Sequence, residues 1–174
     1  SGFQALVINA LGGNDDVSIT ASGSFANGLS VFGGDSDNDG DSVNISAAGN
    51  NVNVALSSNT VSGVTASDIT LDSVEALAID AAGNLSIDGT TGHDTLQFQA
   101  STAANGSVTL VAGNTGVSYT NLGGSLTVDG GTAGVDVLVV QGSEGADTVT
   151  STSTTEVTLN GTVTIGGNID RLDI

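Results

Sequence analysis

The sequence of 174 residues contains no cysteine, proline, methionine or tryptophan, and its basic side chains are one arginine and one histidine. Without cysteine, no disulfide framework can hold the fold together. The formal net charge is −18. A chain with so few cations cannot neutralise phosphate groups, which excludes a nucleic-acid binder and argues against an anionic membrane surface. No apolar run approaches the roughly 20 residues of a membrane-spanning helix.

Aspartate supplies 16 of the 19 acidic residues. Because aspartate favours turns and metal-binding loops whereas glutamate favours helices, we expect the negative charge to lie in turns. The hydrophobic residues make up 38% of the chain and are almost all small and aliphatic. Such residues suit narrow, regular layers better than a bulky, irregular core.

Short runs of alternating apolar and polar residues follow one another along the chain, and no long helical periodicity interrupts them. Eight such runs are Val17–Ile19, Leu29–Val31, Val43–Ile45, Ile69–Leu71, Leu85–Ile87, Leu96–Phe98, Leu126–Val128 and Val157–Leu159. Runs with a period of two, separated by Gly, Asn, Asp and Ser clusters about every ten residues, predict an all-β fold.

Two sequence patterns recur. The first is a strand-like segment found in residues 3–8, 74–79 and 169–174. The second joins a strand to an acidic turn and a further strand, in residues 29–45 and 126–140. The second pattern begins 26 residues after the first in one unit and 52 residues after it in the other, so one block has been added. Insertion of a whole block is natural for a solenoid, in which each coil contacts only its neighbours.

We therefore expect one repetitive β domain over residues 1–174, with repeat units at about 3–73 and 74–168. The preferred architecture is a parallel β-solenoid, similar to a β-helix or β-roll, of about seven coils. The alternative is an antiparallel β-sandwich or meander, because residues 157–165 have the pattern of a hairpin around Asn160-Gly161. Both ends stop within the repeated pattern, so we expect a segment of a longer chain.

The stretch Asp35–Asp41 places four carboxylates within seven positions, with no cation nearby. Carboxylates this close repel one another unless a positive ion lies among them. The D-x-D-x-D-G order is similar to the opening of an EF-hand calcium loop, in which Gly40 would allow the sharp turn. Calcium is therefore the expected cofactor, and its expected ligands are Asp35, Asp37, Asp39 and Asp41. The alternative is a solvated acidic turn without an ion.

Further turns share the order G-x-x-G-x-D-x-h-x, in which h is apolar. They lie at residues 89–97, 142–150 and, with one extra residue, 130–139. This order resembles the nonapeptide of the haemolysin-type calcium-binding (RTX) repeats of large secreted bacterial proteins, whose turns bind calcium in a parallel β-roll. The resemblance implies three calcium ligands, Asp94, Asp136 and Asp147. The alternative is that each aspartate caps its own tight turn, and the acidic turn at Asp15 and Asp16 has the same two interpretations.

We expect no enzymatic activity and no catalytic residues. A lyase needs a cation to hold its substrate and a base to take the proton, but His93 and Arg171 lie in different units. His93 fits a solvated turn residue, and Arg171 fits an outward-facing strand residue. Tyr119 is the single tyrosine in a chain without tryptophan, whereas sugar-binding platforms commonly present several aromatic faces.

The function that these features predict is mechanical: an extracellular structural or adhesive repeat segment of a bacterial surface adhesin, surface layer or fibre, stabilised by calcium. The expected partners are neighbouring repeats of the same chain or further copies that associate end to end, without nucleic acid and without membrane insertion. The alternative is a binding module that presents a glycan-binding or ice-binding face. A screen for glycan or ice affinity would separate the two.

Overall fold

A computed structural model gives the fold and describes residues 3–21, 25–34, 40–113, 115–153, 156–160, 162–165 and 168–174. These residues make an all-β fold, with 51% strand and no helix in the ranges given. Accordingly, no helix in the described ranges is long and apolar enough to cross a membrane. The prediction of an all-β fold is confirmed.

The strands form two mixed sheets, which we call sheet A and sheet B. In spatial order, sheet A consists of β1 (Leu6–Asn9), β3 (Leu29–Phe32), β7 (Ile69–Asp72), β6 (Thr60–Ser62), β5 (Val52–Ala55), β9 (Leu85–Asp88), β13 (Leu126–Asp129), β17 (Thr162–Ile165), β16 (Glu156–Leu159) and β15 (Val149–Ser153). Sheet B consists of β2 (Asp16–Thr20), β4 (Ser42–Ser46), β8 (Ala76–Asp80), β12 (Thr115–Thr120), β11 (Asn105–Leu110), β10 (Thr95–Thr102), β14 (Val137–Gln141) and β18 (Arg171–Asp173).

The chain passes from sheet A to sheet B six times in the described residues. The crossings join β1 to β2, β3 to β4, β7 to β8, β9 to β10, β13 to β14 and β17 to β18. Strands that belong to successive crossings pair in parallel wherever they are neighbours, as in β2–β4 and β4–β8. Parallel neighbours need such crossover connections, because a tight turn can join only antiparallel strands.

The antiparallel pairs that the structure describes lie within three meanders, β5–β6–β7, β10–β11–β12 and β15–β16–β17. The predicted hairpin at residues 157–165 is confirmed, since β16 and β17 pair antiparallel. The fold therefore combines parallel pairing between crossings with antiparallel pairing within meanders. Because the two sheets are not closed, the parallel solenoid stays a prediction.

The eight alternating runs all lie in strands, and their apolar residues point into one core between the sheets. The largest fully buried side chain is Phe98, and Leu85, Ile87, Leu126 and Leu138 are buried beside it in the same cluster. The alternation is visible in β13, where Leu126 and Val128 are buried and their neighbours are half-buried. Burial of one face of each strand is thus the physical reason for the period of two.

The two sheets match strand for strand from one end. Counted from β1 and β2, the first eight positions correspond, so that β6 and β5 lie at the positions of β12 and β11. Sheet A then has two further strands, β16 and β15. The added block of the second repeat unit contains the meander β10–β11–β12, which fills three positions of sheet B.

The three copies of the strand-like segment are not equivalent in the fold. Residues 3–8 enter β1 in sheet A, whereas residues 74–79 and 169–174 enter β8 and β18 in sheet B. Both sheets bury alternate residues against the same core, so the same short pattern suits either sheet.

Candidate metal-binding turns

Six strands of sheet B are entered by a crossing from sheet A. An acidic residue lies immediately before the first residue of each of them. These residues are Asp15, Asp41, Glu75, Asp94, Asp136 and Asp170. We call this set the acidic ladder. Because these six strands run in the same direction, the six residues lie at the same end of the sheet B strands. These six acidic residues therefore lie in turns, as the composition predicts, whereas others, such as Asp80 and Asp88, lie at the ends of strands.

Hydrogen bonds join the acidic ladder from one crossing to the next. The Asp15 N–H donates to Asp41 Oδ1 at 2.8 Å, and the Asp41 N–H donates to Glu75 Oε2 at 2.8 Å. In the second half of the molecule, the Asp94 N–H donates to Asp136 Oδ1 at 2.8 Å, and the Asp136 N–H donates to Asp170 Oδ2 at 2.9 Å. Four carboxylates thus accept the backbone N–H of the ladder residue in the preceding crossing, and we call each crossing a layer. The four belong to Asp41, Glu75, Asp136 and Asp170.

The acidic ladder is interrupted where β12 and β11 separate β8 from β10. At this point the Glu75 carbonyl accepts the Gly116 N–H of β12 at 3.3 Å. Strand β12 is entered from a hairpin and not from a crossing. The ladder therefore consists of two groups of three residues, one on each side of the meander.

Three aspartates of the ladder are deeply buried: Asp41 and Asp94 are 3% exposed and Asp136 is 1% exposed. Burying a carboxylate is costly unless hydrogen bonds or a cation compensate it. Arg171 forms the ion pair found in the described residues, with Asp173 and outside the ladder. Backbone N–H groups therefore supply the compensation that cations commonly provide.

A glycine precedes the aspartate in four turns and lies directly beneath its carboxylate. A Cβ atom placed on Gly89 would lie 2.6 Å from Asp94 Oδ2. The same close approach, 2.6–2.7 Å, links Gly33 to Asp41, Gly130 to Asp136 and Gly142 to Asp147. The first glycine of the G-x-x-G-x-D order is therefore explained by the space that the carboxylate needs.

Within these turns, two aspartates cap the chain that leads to them. Asp94 accepts the Thr90 N–H at 2.5 Å and the Thr90 hydroxyl at 2.8 Å. Asp147 accepts the corresponding groups of Ser143 at 2.7 and 3.1 Å. These hydrogen bonds are the turn-capping contacts that the alternative interpretation of the G-x-x-G-x-D order predicts. A metal-ligand role for Asp94 or Asp147 stays a prediction.

Asp147 also accepts the side-chain amide of Asn160 at 2.7 Å. This hydrogen bond, followed by those from Ser143, holds the pKa of the Asp147 carboxyl below its ordinary value despite partial desolvation. The hydrogen bonds favour the charged form of the carboxyl group. Asp147 is not itself a ladder member, because it lies in the turn that leads to β15 of sheet A.

The turns that lead to β2 and β4, which we call the first turns, contain a buried polar atom that has no partner among the described residues. Asp15 Oδ2 is buried and has no hydrogen-bond partner. The neighbouring Asp16 carboxylate accepts the Ser42 hydroxyl at 2.9 Å and also the Asn44 amide. Asp41 is the last member of the predicted calcium loop, whose other members Asp35, Asp37 and Asp39 lie outside the described residues.

The structure therefore joins four of the predicted metal ligands in two pairs. Asp15 is joined to Asp41, and Asp94 is joined to Asp136, each through a backbone N–H. Within the described ranges, no group of three acidic or histidine side chains could hold a metal ion by itself. A calcium site at Asp15 and Asp41 would need ligands from residues 35–39.

The two basic side chains have different partners. Arg171 is exposed in β18 and binds Asp173 Oδ2 at 2.5 Å, which confirms the prediction of an outward-facing strand residue. His93 is exposed in its turn, and its Nδ1 accepts the Val135 N–H of the next turn at 2.7 Å. Tyr119 is 3% exposed, so it offers no platform for a sugar ring, and burial raises its pKa to about 12.

Sequence reasoning missed Glu75 and Asp170 as members of the ladder. Both occupy the second position of the recurring strand-like segment, where the copy in sheet A has Gln4. The signal was therefore present: an acidic residue directly before a strand in two of three copies. It went unused because the segment was interpreted as a strand pattern alone.

No protein-family model matches the chain, and neither a curated protein nor a solved structure is similar to it. The resemblance to haemolysin-type repeats therefore rests on the turn residues themselves. What the fold adds is a physical reason for their spacing, because the glycine and the aspartate of each turn are in contact.

Proposed function

We propose that the chain is a structural or adhesive repeat segment of an extracellular bacterial protein, such as a surface adhesin, a surface layer or a fibre. The acidic ladder is the observation that carries this proposal. It links one layer to the next through hydrogen bonds along sheet B. A molecule whose conspicuous polar groups hold layers together, and do not converge on a cavity, is suited to bearing load.

We further propose that the open stack of layers is a β-solenoid, in which the meanders are insertions into parallel coils. The strand-for-strand match of the two sheets from β1 and β2 supports this form. In a solenoid each coil contacts its neighbours alone, so coils and blocks can be added without disturbing distant ones. An added block is what distinguishes the two repeat units of the sequence.

Calcium is the proposed cofactor, held at the first turns by Asp15 and Asp41 together with Asp35, Asp37 and Asp39. The buried, unpartnered Asp15 Oδ2 fits an oxygen ligand of a hard cation. When bound there, calcium would supply positive charge to turns that contain none. Because it would bind the folded turns better than the unfolded chain, it would add stability by linkage.

The remaining predicted ligands, Asp16, Asp94, Asp136 and Asp147, have hydrogen bonds within the protein. In the proposal their main role is to cap turns and join layers. The proposal contains no catalytic step, and it requires neither nucleic acid nor membrane insertion.

A binding module is the second candidate. The outer face of sheet B has a shallow trough of about 240 Å³ that includes Ser18, Asn44, Ala78 and Ser118. Its walls combine apolar with polar surface and include Asp80. They could accept a polyhydroxylated ligand such as a glycan, or ordered water at an ice surface. Affinity for a glycan array or for ice, lost on Ala78→Trp, would favour this candidate over a passive spacer.

The test of the proposed function is thermal unfolding in calcium and in chelator. At a free calcium concentration 100 times Kd, linkage would add about 2.7 kcal/mol to the free energy of unfolding. We expect calcium to raise the Tm of the wild type and of an Asp68→Asn control, whose exposed carboxylate lies away from the acidic turns. A variant with Asp35, Asp37 and Asp39 all changed to Asn should not respond. An equal Tm in calcium and chelator would remove calcium from the account.

A further inference from the structure

A cavity of about 160 Å³ lies between the two sheets, where the acidic ladder is interrupted. On either side of this point a crossing covers the end of the core, since β7 passes to β8 and β9 passes to β10. Between these crossings, β5 is joined to β6 and β11 to β12 by turns that stay within their own sheets. The cavity is bordered by both turns, through the exposed Asn59 and Gly113.

The inner wall of the cavity is apolar. It consists of the buried Val54, Leu71 and Leu77, together with the half-buried Leu56 and Val74. Such walls suit an apolar body, and a cavity of about 150 Å³ lined by aliphatic and aromatic side chains holds benzene in another protein. The cavity therefore fits a small ligand, about the size of one six-membered ring with a short substituent.

Among the described residues, one charged side chain lines this cavity, that of Glu75. Its Oε2 accepts the Asp41 N–H at 2.8 Å, whereas its Oε1 accepts no hydrogen bond from a described residue. Ser73 and Thr115, which carry hydroxyl groups, also line the cavity. A carboxylate beside apolar walls favours a ligand with a positive end, and hydroxyl oxygens can accept further hydrogen bonds from an ammonium group.

We propose that this cavity binds a small primary amine, whose apolar body lies against Leu71 and Leu77 and whose ammonium group binds the Glu75 carboxylate. The net charge of −18 raises the concentration of cations around the protein and so favours such a ligand. The sequence contains no lysine, so none of its own side chains can supply the ammonium group. This site goes beyond the proposed structural role, and it does not depend on calcium.

An NMR titration of the protein in chelator tests the site with three ligands that share one ring: benzylamine, benzyl alcohol and benzoate. Benzylamine should cause saturable shifts at the amides of Val74, Glu75 and Thr115. Its affinity should exceed that of benzyl alcohol about tenfold, because a charge-assisted hydrogen bond replaces a neutral one. Benzoate should not bind, since Glu75 repels it. The amides of Ser18 and Asn44, in the trough on the outer face of sheet B, should not shift.

The Glu75→Gln variant removes the charge and keeps an oxygen that can accept the Asp41 N–H. It should lower the affinity for benzylamine to that for benzyl alcohol. Glu144→Gln is the matched control, because it makes the same chemical change at an exposed turn residue and alters the net charge equally. Its affinity for benzylamine should equal that of the wild type.

A second variant fills the cavity. Thr115 lies on the same face of β12 as the buried Val117 and Tyr119, so its side chain points between the sheets. Thr115→Phe should therefore abolish the binding of benzylamine and of benzyl alcohol alike. Its Tm shows whether it folds, and the comparison of the two glutamine variants decides the question if it does not.

A free amine and the lysine side chain of another protein present the same chemical group. Nα-acetyl-lysinamide and n-butylamine have the same alkylammonium chain, but only the first carries peptide-like groups. Tighter binding of Nα-acetyl-lysinamide would assign the site to a lysine side chain, and tighter binding of n-butylamine would assign it to a free amine.

Equal affinities for benzylamine and benzyl alcohol would overturn the inference, as would equal losses in the two glutamine variants. The absence of saturable shifts at the cavity amides would also overturn it. Because the titration is made in chelator, each of these results leaves the calcium-dependent Tm untouched. Conversely, amine binding would stand even if calcium had no effect on unfolding.

Discussion

At the scale of single residues, the contact between glycine and aspartate determines the shape of the acidic turns. In the turn from Gly89 to Asp94, the carboxylate lies against the glycine Cα and receives the Thr90 N–H and hydroxyl. Gly92, in the same turn, has room for a Cβ atom, which would lie 3.7 Å from the Thr90 hydroxyl oxygen. The contact with the carboxylate therefore requires glycine at position 89 and not at position 92.

The Gly89→Ala variant tests this contact. The new methyl group would lie 2.6 Å from Asp94 Oδ2 and 2.6 Å from the Gly130 carbonyl oxygen. Overpacking of this kind should lower the free energy of unfolding by about 1–3 kcal/mol. The Gly92→Ala control, whose methyl group would be 3.7 Å from the Thr90 hydroxyl, should change it much less. Equal losses in chemical denaturation of the two variants would contradict the geometry.

Asp147 provides a prediction about pH. Its pKa in the folded protein is lowered, first by the Asn160 amide, so its contribution to stability is present above the unfolded-state pKa. That contribution is lost as the pH falls through the folded-state pKa. Asn160→Gly removes the amide, and glycine accepts the positive φ of 46° at this position. We expect the pKa of Asp147 to rise in this variant, as followed by NMR titration of its carboxyl carbon.

The control for this titration is Asn121→Gly, at a residue with a φ of 54° whose amide binds Asp80 at 3.1 Å. It makes the same chemical change at a similar backbone conformation, away from Asp147. The pKa of Asp147 should not respond to it. A pKa that is the same in the wild type and in Asn160→Gly would show that the amide does not determine it.

At the scale of strands, the sequence is sufficient to find the elements but not their partners. Period-two runs such as Val43–Ile45 and Leu126–Val128 identify strands because each strand buries one face. The same period suits both sheets, so it does not assign β1 to sheet A or β8 to sheet B. It also carries no information on the direction of pairing.

The meander β5–β6–β7 shows why its strand pairing could not be predicted, in contrast to the hairpin of β16 and β17. Strand β5 pairs in parallel with β9, more than 30 residues away, and antiparallel with the adjacent β6. The turn before β6 is four residues long and contains no Gly, so the usual hairpin signal is missing. Local turn chemistry decides neither contact, because both depend on which core positions remain to be filled.

The candidate site likewise has a local part, which the sequence identifies, and a long-range part, which depends on the fold. The spacing within one turn, such as Gly142 to Asp147, is local, and the sequence identified it. The bond from the Asp94 N–H to Asp136 spans 42 residues, so it depends on the fold. Glu75 and Asp170 belong to the ladder through bonds of this long-range kind, and for that reason a search for acidic turns did not find them.

At the scale of the whole molecule, successive crossings place the carboxylates of the acidic ladder at one end of the sheet B strands. A net charge of −18 favours expansion of the chain. Buried carboxylates that receive N–H groups counter this locally, and the proposed calcium at the first turns would counter it further. The resulting molecule gains stability from its turns as well as from its core.

Amide hydrogen exchange at the ladder residues, measured in calcium and in chelator, tests this account most directly. The N–H groups of Asp15, Asp41, Asp94 and Asp136 donate to carboxylates, so all four should be protected even in chelator. Calcium should slow exchange further at Asp15 and Asp41 and leave Asp94 and Asp136 nearly unchanged. Exchange at Asp94 and Asp136 as fast as at exposed turn amides would contradict the ladder, and no calcium effect at Asp15 and Asp41 would contradict the metal site.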